Sequence, residues 1–270
     1  MLIGADPMNT EAIWDLVFHH QIQTHGAGTA AVIALSGIDI ALWDLRGKLL
    51  NQPVYRLLGG RQRRIRAYAG GLSLGYKPLN ELEKEVHHIV QKGYKAIKLR
   101  VGQGPKEDAK RVTHIRKTFG DDLDIALDAQ TRYHVTDILD VVSYCEDNHV
   151  YWLEEPFTPD NIHAYQAIKR QTPIPIAAGE NHYTKHAFRD LLQAGAIDIL
   201  QADCTKEVDQ TQHFITVTRK ERTECEGNGF SSGLQPRGIS PKRISNCNDL
   251  WVSNRNTDSN CSPLMSRSAG

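Results

Sequence analysis

The chain has 270 residues and a formal net charge of zero, because 32 basic residues balance 32 acidic ones. A neutral chain has no broad electrostatic reason to bind nucleic acid or an anionic membrane, so we expect neither partner. No stretch approaches the roughly eighteen apolar residues that a bilayer span requires. The N-terminal region carries Asp6, Glu11 and Asp15 and lacks a basic segment followed by an apolar one, so no signal peptide is predicted.

The cysteines form an odd set without CxxC spacing, namely Cys145, Cys204, Cys225, Cys247 and Cys261. This pattern argues against a disulfide framework and against a zinc site. It is typical of a reducing compartment, and we expect a cytoplasmic protein.

The first part of the chain is predicted to be helical. Apolar residues recur on one face around residues 11–18, and a longer helix is predicted over residues 28–50. We expect the apolar stripe of the longer helix to consist of Ile38, Leu42, Leu45 and Leu49. Pro53 and the Gly59-Gly60 pair then interrupt the pattern.

From residue 65 onward, short apolar strands alternate with amphipathic helices. The strands are predicted at residues 65–69, 96–101, 125–128, 151–154, 174–178 and 197–201. The helices are predicted at residues 79–92, 105–119, 135–147, 162–170 and 185–194. This alternation indicates a parallel sheet covered by helices. Six such units in a row favour an α/β fold of the TIM type, an incomplete (β/α) barrel with about six of its eight strands.

The last part of the chain loses this periodicity. Residues 207–270 are rich in Ser, Asn, Arg and Thr, and their apolar residues keep no sustained period. We therefore predict three regions: helical residues 1–60, barrel residues 61–206, and an irregular or disordered tail over residues 207–270.

Three acidic residues are predicted to end successive strands of this barrel. They are Asp128 in IALDAQ, Glu154 in WLEEP and Glu180 in IAAGEN, with equal separations (154 − 128 = 26 and 180 − 154 = 26). Equal spacing places them at one height in the mouth of the barrel, where active sites lie. Three close carboxylates would raise one another's pKa values unless a cation neutralised them, and ligation by oxygen alone favours Mg²⁺ over Zn²⁺ or Cu²⁺.

The alternative is that these acids serve as helix caps or solvated loop charges. Glu155 competes with Glu154 for the ligand role, but strand alternation sends the two side chains to different sides. We therefore expect Glu155 to make a supporting contact.

Basic residues on the preceding strand are candidates for the chemistry. Lys98 and Arg100 in AIKLRVG are two positions apart, so both should point into the barrel beside the proposed metal, where they could bind a substrate carboxylate. A lysine with a lowered pKa can act as a base, whereas a guanidinium stays protonated. The alternative is a solvated edge with ordinary charges.

Asp203 in ILQADCTK is predicted to end the sixth strand, where it could orient a histidine from the next strand. The one histidine that follows is His213, which is too near in sequence to lie on another strand. The sequence therefore leaves this role unfilled.

Taken together, these motifs resemble a known family. The segment SGIDIALWDLRGKLLNQPVYRLLGG at residues 36–60, followed by KLR, LDAQ, LEEP, GEN and QADCTK, resembles the mandelate racemase subgroup of the enolase superfamily. The resemblance runs from about residue 2 to Lys206 and is closest to sugar-acid dehydratases, with mandelate racemases and lactone cycloisomerases sharing the same frame.

The resemblance implies an α+β capping domain over a (β/α)₇β barrel. It implies that Mg²⁺ binds the carboxylate of the substrate and stabilises an enediolate after α-proton abstraction. By matching motif, Asp128, Glu154 and Glu180 would be the metal ligands. Lys98 would be the first lysine of a KxK motif, and Asp203 the aspartate of a His–Asp dyad.

The sequence departs from the family pattern in three places. Arg100 stands where many members have the second, proton-abstracting lysine. The chain begins within the helical part of the capping domain, and the resemblance stops after Lys206, where the tail resembles translation in a shifted frame and supplies no dyad histidine.

The expected function is Mg²⁺-dependent dehydration of a sugar acid, with Lys98 or His182 as base. The alternatives are a racemase, a lactone cycloisomerase, or an inactive metal-binding fragment. Because the helices of this family often pack between subunits, a homo-oligomer is also expected.

Overall fold

The computed structural model describes residues 2–26, 28–60, 66–70, 74, 76–203 and, for the backbone alone, 252–254. The helices are α1 (Thr10–Val17), α2 (Gln23–His25), α3 (Thr29–Leu49), α4 (Val54–Leu57), α5 (Leu79–Gln91), α6 (Pro105–Phe119), α7 (Ile138–Asp147), α8 (Ile162–Gln171) and α9 (Thr184–Gln193). A π-helical segment, Phe18–Ile22, joins α1 to α2, and a 3₁₀ turn, Val135–Asp137, precedes α7. The strands are β1 (Ala67–Gly70), β2 (Ala96–Arg100), β3 (Asp124–Asp128), β4 (Leu153–Glu154), β5 (Ile176–Ala178), β6 (Ile199–Leu200) and β7 (Val252–Asn254).

The strands form one parallel sheet in the order β6-β5-β4-β3-β2-β1-β7. From β1 to β6 each strand pairs with the next one in sequence, because a helix returns the chain to the same end each time. The six strands curl into a half-barrel, which confirms the predicted incomplete TIM-type fold. Each predicted strand and barrel helix is present. The bounds agree within two residues, except that α7 begins three residues later than predicted.

The two faces of the sheet bury different side chains, as the period of two requires. The face toward the helices belongs to the main core and is lined by Ile97, Leu99, Ile125, Leu127 and Leu153, among others. The inner, concave face carries Tyr68, Ala96, Ala126, Trp152 and Ala177. On three of these strands the residue two positions further along shares this inner face and is a charged residue of the predicted site, namely Lys98, Asp128 or Glu154.

The N-terminal helices pack against the barrel through a second apolar cluster. Trp14, Phe18, Ile22, Val32 and Leu35 are its buried members, and Tyr183 from the loop after β5 packs against them. The ring centroids of Phe18 and His186 on α9 are 6.5 Å apart. The helical segment therefore docks on the loop and helix that follow the fifth strand.

The predicted apolar stripe of α3 was wrong. The buried residues of this helix are Val32, Leu35, Ser36, Asp39, Trp43 and Gly47, whereas Leu45 and Leu49 are 40% and 60% exposed. The helix carries apolar residues on most of its circumference, so periodicity alone does not select the contact side. A Cβ on the buried Gly47 would lie 2.9 Å from the carbonyl oxygen of Gln52, so the turn after α3 packs closely on this side of the helix.

A short strand lies within the tail, where the sequence predicted no strand. β7 pairs in parallel with β1, with Ala67 opposite Val252 and Ala69 opposite Asn254. Three residues are too few to show a period, and the pairing covers the backbone edge of β1. The rest of the 207–270 prediction lies outside the described residues. No helix in the described part of the chain is long and apolar enough to cross a membrane.

Candidate metal centre

Two of the three predicted ligands lie side by side on the inner face of the sheet. Asp128 ends β3 and Glu154 ends β4, and the two residues are paired in the parallel register. Each is only 1% exposed. Arg100 at the end of β2 is paired with Asp128 in the same register, so three charged residues stand at one height on adjacent strands.

Lys98 bridges the two carboxylates. Its Nζ lies 2.6 Å from Oε1 of Glu154 and 3.2 Å from Oδ2 of Asp128, and it is 7% exposed. A second cation, the Arg100 guanidinium, contacts the same oxygen of Asp128. Lys98 is thus part of a buried ion cluster. The alternative interpretation, in which Lys98 is an ordinary solvated charge at the edge of the sheet, was wrong. The protein itself thus supplies cationic partners for both carboxylates, and binding of a divalent ion at this place stays a prediction.

Hydrogen bonds hold the remaining carboxylate oxygens. Oε2 of Glu154 accepts from Nε1 of Trp152 at 3.2 Å and from Nε2 of Gln201 at 2.9 Å. Oδ1 of Asp128 accepts from the backbone N–H of Gln130 at 3.0 Å. Sequence reasoning missed Trp152 and Gln201. The available signals were the position of Trp152 two residues before Glu154 and that of Gln201 at the end of the sixth strand.

The electrostatic balance differs for the two members of the ion pair. Burial alone would lower the pKa of Lys98, but attraction to both Glu154 and Asp128 outweighs it, so the pKa is raised above its ordinary value. Burial raises the pKa of Glu154, and repulsion by Asp128 adds to this effect, whereas attraction to Lys98 opposes it. In this arrangement the raised pKa favours the charged ammonium form of Lys98, which can bind an anion.

The third predicted ligand lies on the next loop. Glu180 follows β5 by two residues and is half-buried. The described part of the chain holds no group of three acidic, histidine or cysteine side chains close enough to bind a metal ion. The structure therefore brings Asp128 and Glu154 together, and the role of Glu180 as a third ligand stays a prediction.

Glu155 connects the end of β4 to the Glu180 loop. It is buried and has a φ of 41°. Its Oε2 accepts from Nδ2 of Asn181 at 2.6 Å, while Oε1 has no hydrogen-bond partner among the described residues. Burial, reinforced by the charge of Glu180, raises the pKa of Glu155 to about 7. This is the supporting contact that strand alternation predicted.

The roles predicted for the two remaining candidates, Asp203 and His182, stay predictions. Asp203 is half-buried two residues after Gln201, and His213 lies outside the described part of the chain, so the dyad stays a prediction. His182 is buried, and its ring centroid is 6.1 Å from that of Phe188 on α9. Burial lowers the pKa of His182, which is what a core histidine would show.

The chain matches two family models. The model described as "Mandelate racemase / muconate lactonizing enzyme, N-terminal domain" matches residues 1–59. The model described as "Enolase C-terminal domain-like" matches residues 81–226, which is more than half of the chain. The chain belongs to the mandelate racemase / muconate lactonizing enzyme family of the enolase superfamily. In this family member the first match covers the helical segment, and the second covers the half-barrel from α5 onward.

Individual relatives of this family member include different sugar-acid enzymes. D-galactarolactone cycloisomerase of Agrobacterium fabrum is 35% identical over 206 residues, which cover 75% of the chain and 54% of the relative. Arabinonate dehydratase of Saccharolobus solfataricus is 33% identical over 205 residues, which cover 75% and 55%. The chain thus spans about half the length of the curated relatives it matches.

A solved structure of a family member contains the expected ion. The crystal structure of a racemase from Streptomyces coelicolor with bound magnesium is 31% identical, with a TM-score of 0.73. The match covers 83% of the present chain and 66% of the racemase. The likeness extends to the half-barrel that carries Asp128 and Glu154.

The donors present in this chain fit magnesium chemically. Asp128, Glu154 and Glu180 offer oxygen atoms alone, which are the ligands that Mg²⁺ prefers. The first two are buried on one face at the same height, and they are now occupied by Lys98, Arg100 and neighbouring N–H groups. A divalent ion would therefore have to compete with these two cations for the carboxylates.

Proposed function

We propose that this chain carries the metal-binding half of an enzyme that removes the proton next to the carboxylate of a sugar acid, with dehydration as the reaction. The buried cluster of Lys98, Asp128 and Glu154 at the strand ends of a family half-barrel is the observation that supports it. The names of the relatives, a dehydratase and a cycloisomerase, indicate sugar acids or their lactones as the substrate class.

In this proposal Asp128, Glu154 and Glu180 would hold Mg²⁺, which would supply positive charge where negative charge develops on the substrate carboxylate. Arg100 and Lys98 provide the protein's own positive charge at the same place. Nζ of Lys98 holds its proton as long as both carboxylates attract it, so it first binds and orients the substrate. It can accept the α-proton only when that attraction is reduced.

Racemisation and lactone cycloisomerisation are the alternatives within the family. Arg100 cannot lose its proton, so β2 offers one potential base, Lys98, instead of two. A single base suffices to begin a dehydration, and for this reason we favour it. A homo-oligomer stays a prediction, which light scattering would test.

Magnesium binding is the first test. We expect calorimetry at pH 7 to show Mg²⁺ binding by the wild-type chain and at least about tenfold weaker binding by Asp128→Asn, since loss of a ligand should cost no less than loss of a supporting contact. Glu180→Gln should also weaken binding, and it leaves the ion cluster intact. Asp121→Asn, an exposed acid beyond α6, is the matched control and should bind Mg²⁺ like the wild type.

Proton exchange in D₂O then tests the chemistry. With Mg²⁺ present, we expect deuterium to enter the α-position of at least one acid in a panel of aldonic and aldaric acids. Magnesium binding without exchange in any acid would identify an inactive metal-binding fragment. Absence of Mg²⁺ binding, or equal binding by the wild type, Asp128→Asn and Glu180→Gln, would contradict the proposal itself.

A further inference from the structure

One buried carboxylate outside the proposed metal centre holds the loop that follows β2. Asp108 lies near the start of α6 and is 0% exposed. Its Oδ2 accepts from the backbone N–H groups of Gly102 at 2.9 Å and Gln103 at 3.1 Å, and from the hydroxyl of Tyr133 at 2.8 Å. Its Oδ1 contacts the guanidinium of Arg111 one turn further along the helix. Both oxygens of this carboxylate are therefore engaged.

Arg111 extends these contacts to the segment that follows β1. Nη1 of Arg111 donates to Oε1 of Gln103 at 2.6 Å, and its guanidinium carbon lies 5.6 Å from the ring centroid of Tyr76. The Tyr76 hydroxyl donates to the carbonyl oxygen of Val101 at 2.7 Å and lies 3.3 Å from Oε1 of Gln130. The segments that follow β1, β2 and β3 thus meet around the side chains of Arg111 and Tyr76.

Tyr133 extends the contacts in the other direction. Its hydroxyl lies 2.7 Å from the hydroxyl of Tyr144 on α7, and its backbone N–H donates to the carbonyl oxygen of Pro156 at 3.0 Å. Burial raises the pKa of Tyr133, so the hydroxyl keeps its proton and can donate it to Asp108. Asp108 is in this way linked to the segment after β4 as well.

The residues held by Asp108 are directly connected to the charged cluster. The N–H of Val101, next to Gly102, donates to the carbonyl oxygen of Asp128 at 2.9 Å. Gln130, which Tyr76 reaches, donates its N–H to Oδ1 of Asp128. The loops also touch closely, since a Cβ on Gly102 would lie 2.8 Å from the carbonyl oxygen of Ala129.

We propose that Asp108 is a positioning residue for the metal centre, and this inference rests on the proposed function. It holds the loops after β2 and β3 so that Arg100 and Asp128 keep the arrangement in which the site binds Mg²⁺ and a substrate carboxylate. A purely structural role would lower the stability of the fold without changing the affinity of the folded site. A positioning role changes that affinity.

The substitution Asp108→Asn keeps the size of the side chain and removes its charge. We expect at least about tenfold weaker Mg²⁺ binding by calorimetry at 15 °C, because one of the two acceptor oxygens becomes an NH₂ group that cannot accept, and the Arg111 guanidinium loses its charged partner. In the metal-free protein, hydrogen exchange at the amides of Gly102 and Gln103 should become at least about tenfold faster. Circular dichroism at the same temperature would establish that the variant is folded.

Two variants of the same helix serve as matched controls. Glu107→Gln makes the same chemical change one residue earlier, on an exposed carboxylate paired with Lys110. Val112→Ala removes buried volume from the core side of α6 and lowers stability, and it leaves the carboxylate of Asp108 in place. Both should keep the Mg²⁺ affinity and the exchange of the two amides within about twofold of the wild type.

Tyr133→Phe removes one donor and leaves the carboxylate in place, and we expect a loss of Mg²⁺ affinity of about threefold. If Asp108→Asn does not fold, the Mg²⁺ affinity and amide exchange of Tyr133→Phe are compared with those of the wild type instead. Unchanged Mg²⁺ affinity in these variants, or an equal loss in Val112→Ala, overturns the inference. If the wild type binds no Mg²⁺, the proposed function fails, and the amide exchange alone decides whether Asp108 positions the loops: faster exchange supports it, and unchanged exchange overturns it.

Discussion

The charge state of single residues determines what the proposed site can bind. Lys98 and Arg100 form ion pairs with Asp128 and Glu154, so the proposed site contains a cluster of four charges. Such a buried cluster is costly to break, because removal of one member leaves an opposite charge buried and unpaired. Any ligand of this site therefore has to replace the ion pairs that it disrupts.

Glu155 provides a test at the scale of one titrating group. Its folded-state pKa of about 7 lies above its ordinary value of 4.5, so ionisation of the buried carboxyl costs stability that is absent below pH 4.5 and fully incurred above pH 7. We expect Glu155→Gln to remove this cost. Relative to the wild type, the free energy of unfolding of the variant should rise by up to about 3 kcal/mol between pH 5 and pH 8.

Urea unfolding of both proteins at pH 5, 6.5 and 8 without divalent ions would measure this difference. The pH 5 comparison is the internal control, because the wild-type carboxyl is largely protonated there. A difference between the two proteins that stays constant across the three pH values would contradict the prediction.

At the scale of elements, the close approach of β5 and β6 places Gln201 against Glu154. Gly179 follows β5 with a φ of 149°, and a Cβ at this position would lie 2.8 Å from both the carbonyl carbon and oxygen of Gln201. No other residue fits here without moving the end of β6. The hydrogen bond from Gln201 to Glu154 consequently depends on a glycine on the neighbouring strand.

Gly179→Ala should therefore destabilise the fold more than an ordinary glycine substitution. We expect a loss of about 3 kcal/mol in the free energy of unfolding, from backbone strain together with the displaced strand end. Gly93→Ala is the matched control and should cost about 1 kcal/mol, since Gly93 also has a positive φ but a Cβ added there would meet no atom within 4 Å. Equal losses in the free energy of unfolding of the two variants, measured with urea, would show that the contact with Gln201 does not add to the cost of the substitution.

At the scale of the whole molecule, the helical segment and the half-barrel meet through few side chains. Trp14 stacks on Phe18 with ring centroids 4.5 Å apart, and Nζ of Lys185 on α9 lies 4.9 Å from the Trp14 ring. Tyr183, three residues after Glu180, packs on the same cluster. The loop that carries the third predicted ligand is thus in contact with the N-terminal helices.

Trp14→Ala should loosen this contact. Removal of a buried tryptophan costs about 3–5 kcal/mol of stability. Here this loss weakens the cluster that joins the N-terminal helices to the half-barrel. We expect limited proteolysis to cleave within residues 1–60 at least about tenfold faster, while the half-barrel core resists. Leu49→Ala on the exposed side of α3 is the control and should be cleaved like the wild type, and a uniform acceleration over the whole chain in Trp14→Ala would contradict the prediction.

Local patterns in the sequence were sufficient for the framework of the molecule. Alternation of apolar strands and amphipathic helices predicted the six parallel strands, because period and length are properties of neighbouring residues. The position of Asp128 and Glu154 at the ends of successive predicted strands placed them in register, and the i, i+2 spacing of Lys98 and Arg100 placed both on the inner face. These features follow from the chain alone.

Tertiary structure alone decided which groups meet. The side of α3 that is buried, the contacts of Trp152 and Gln201 with Glu154, and the convergence of three loops on Asp108 depend on side chains that are far apart in sequence. Pairing of Lys98 with both carboxylates likewise reflects distances across strands, which no local period encodes. The sequence by itself determined where the charges stand along the strands, and the packing of the half-barrel determined which of them neutralise one another.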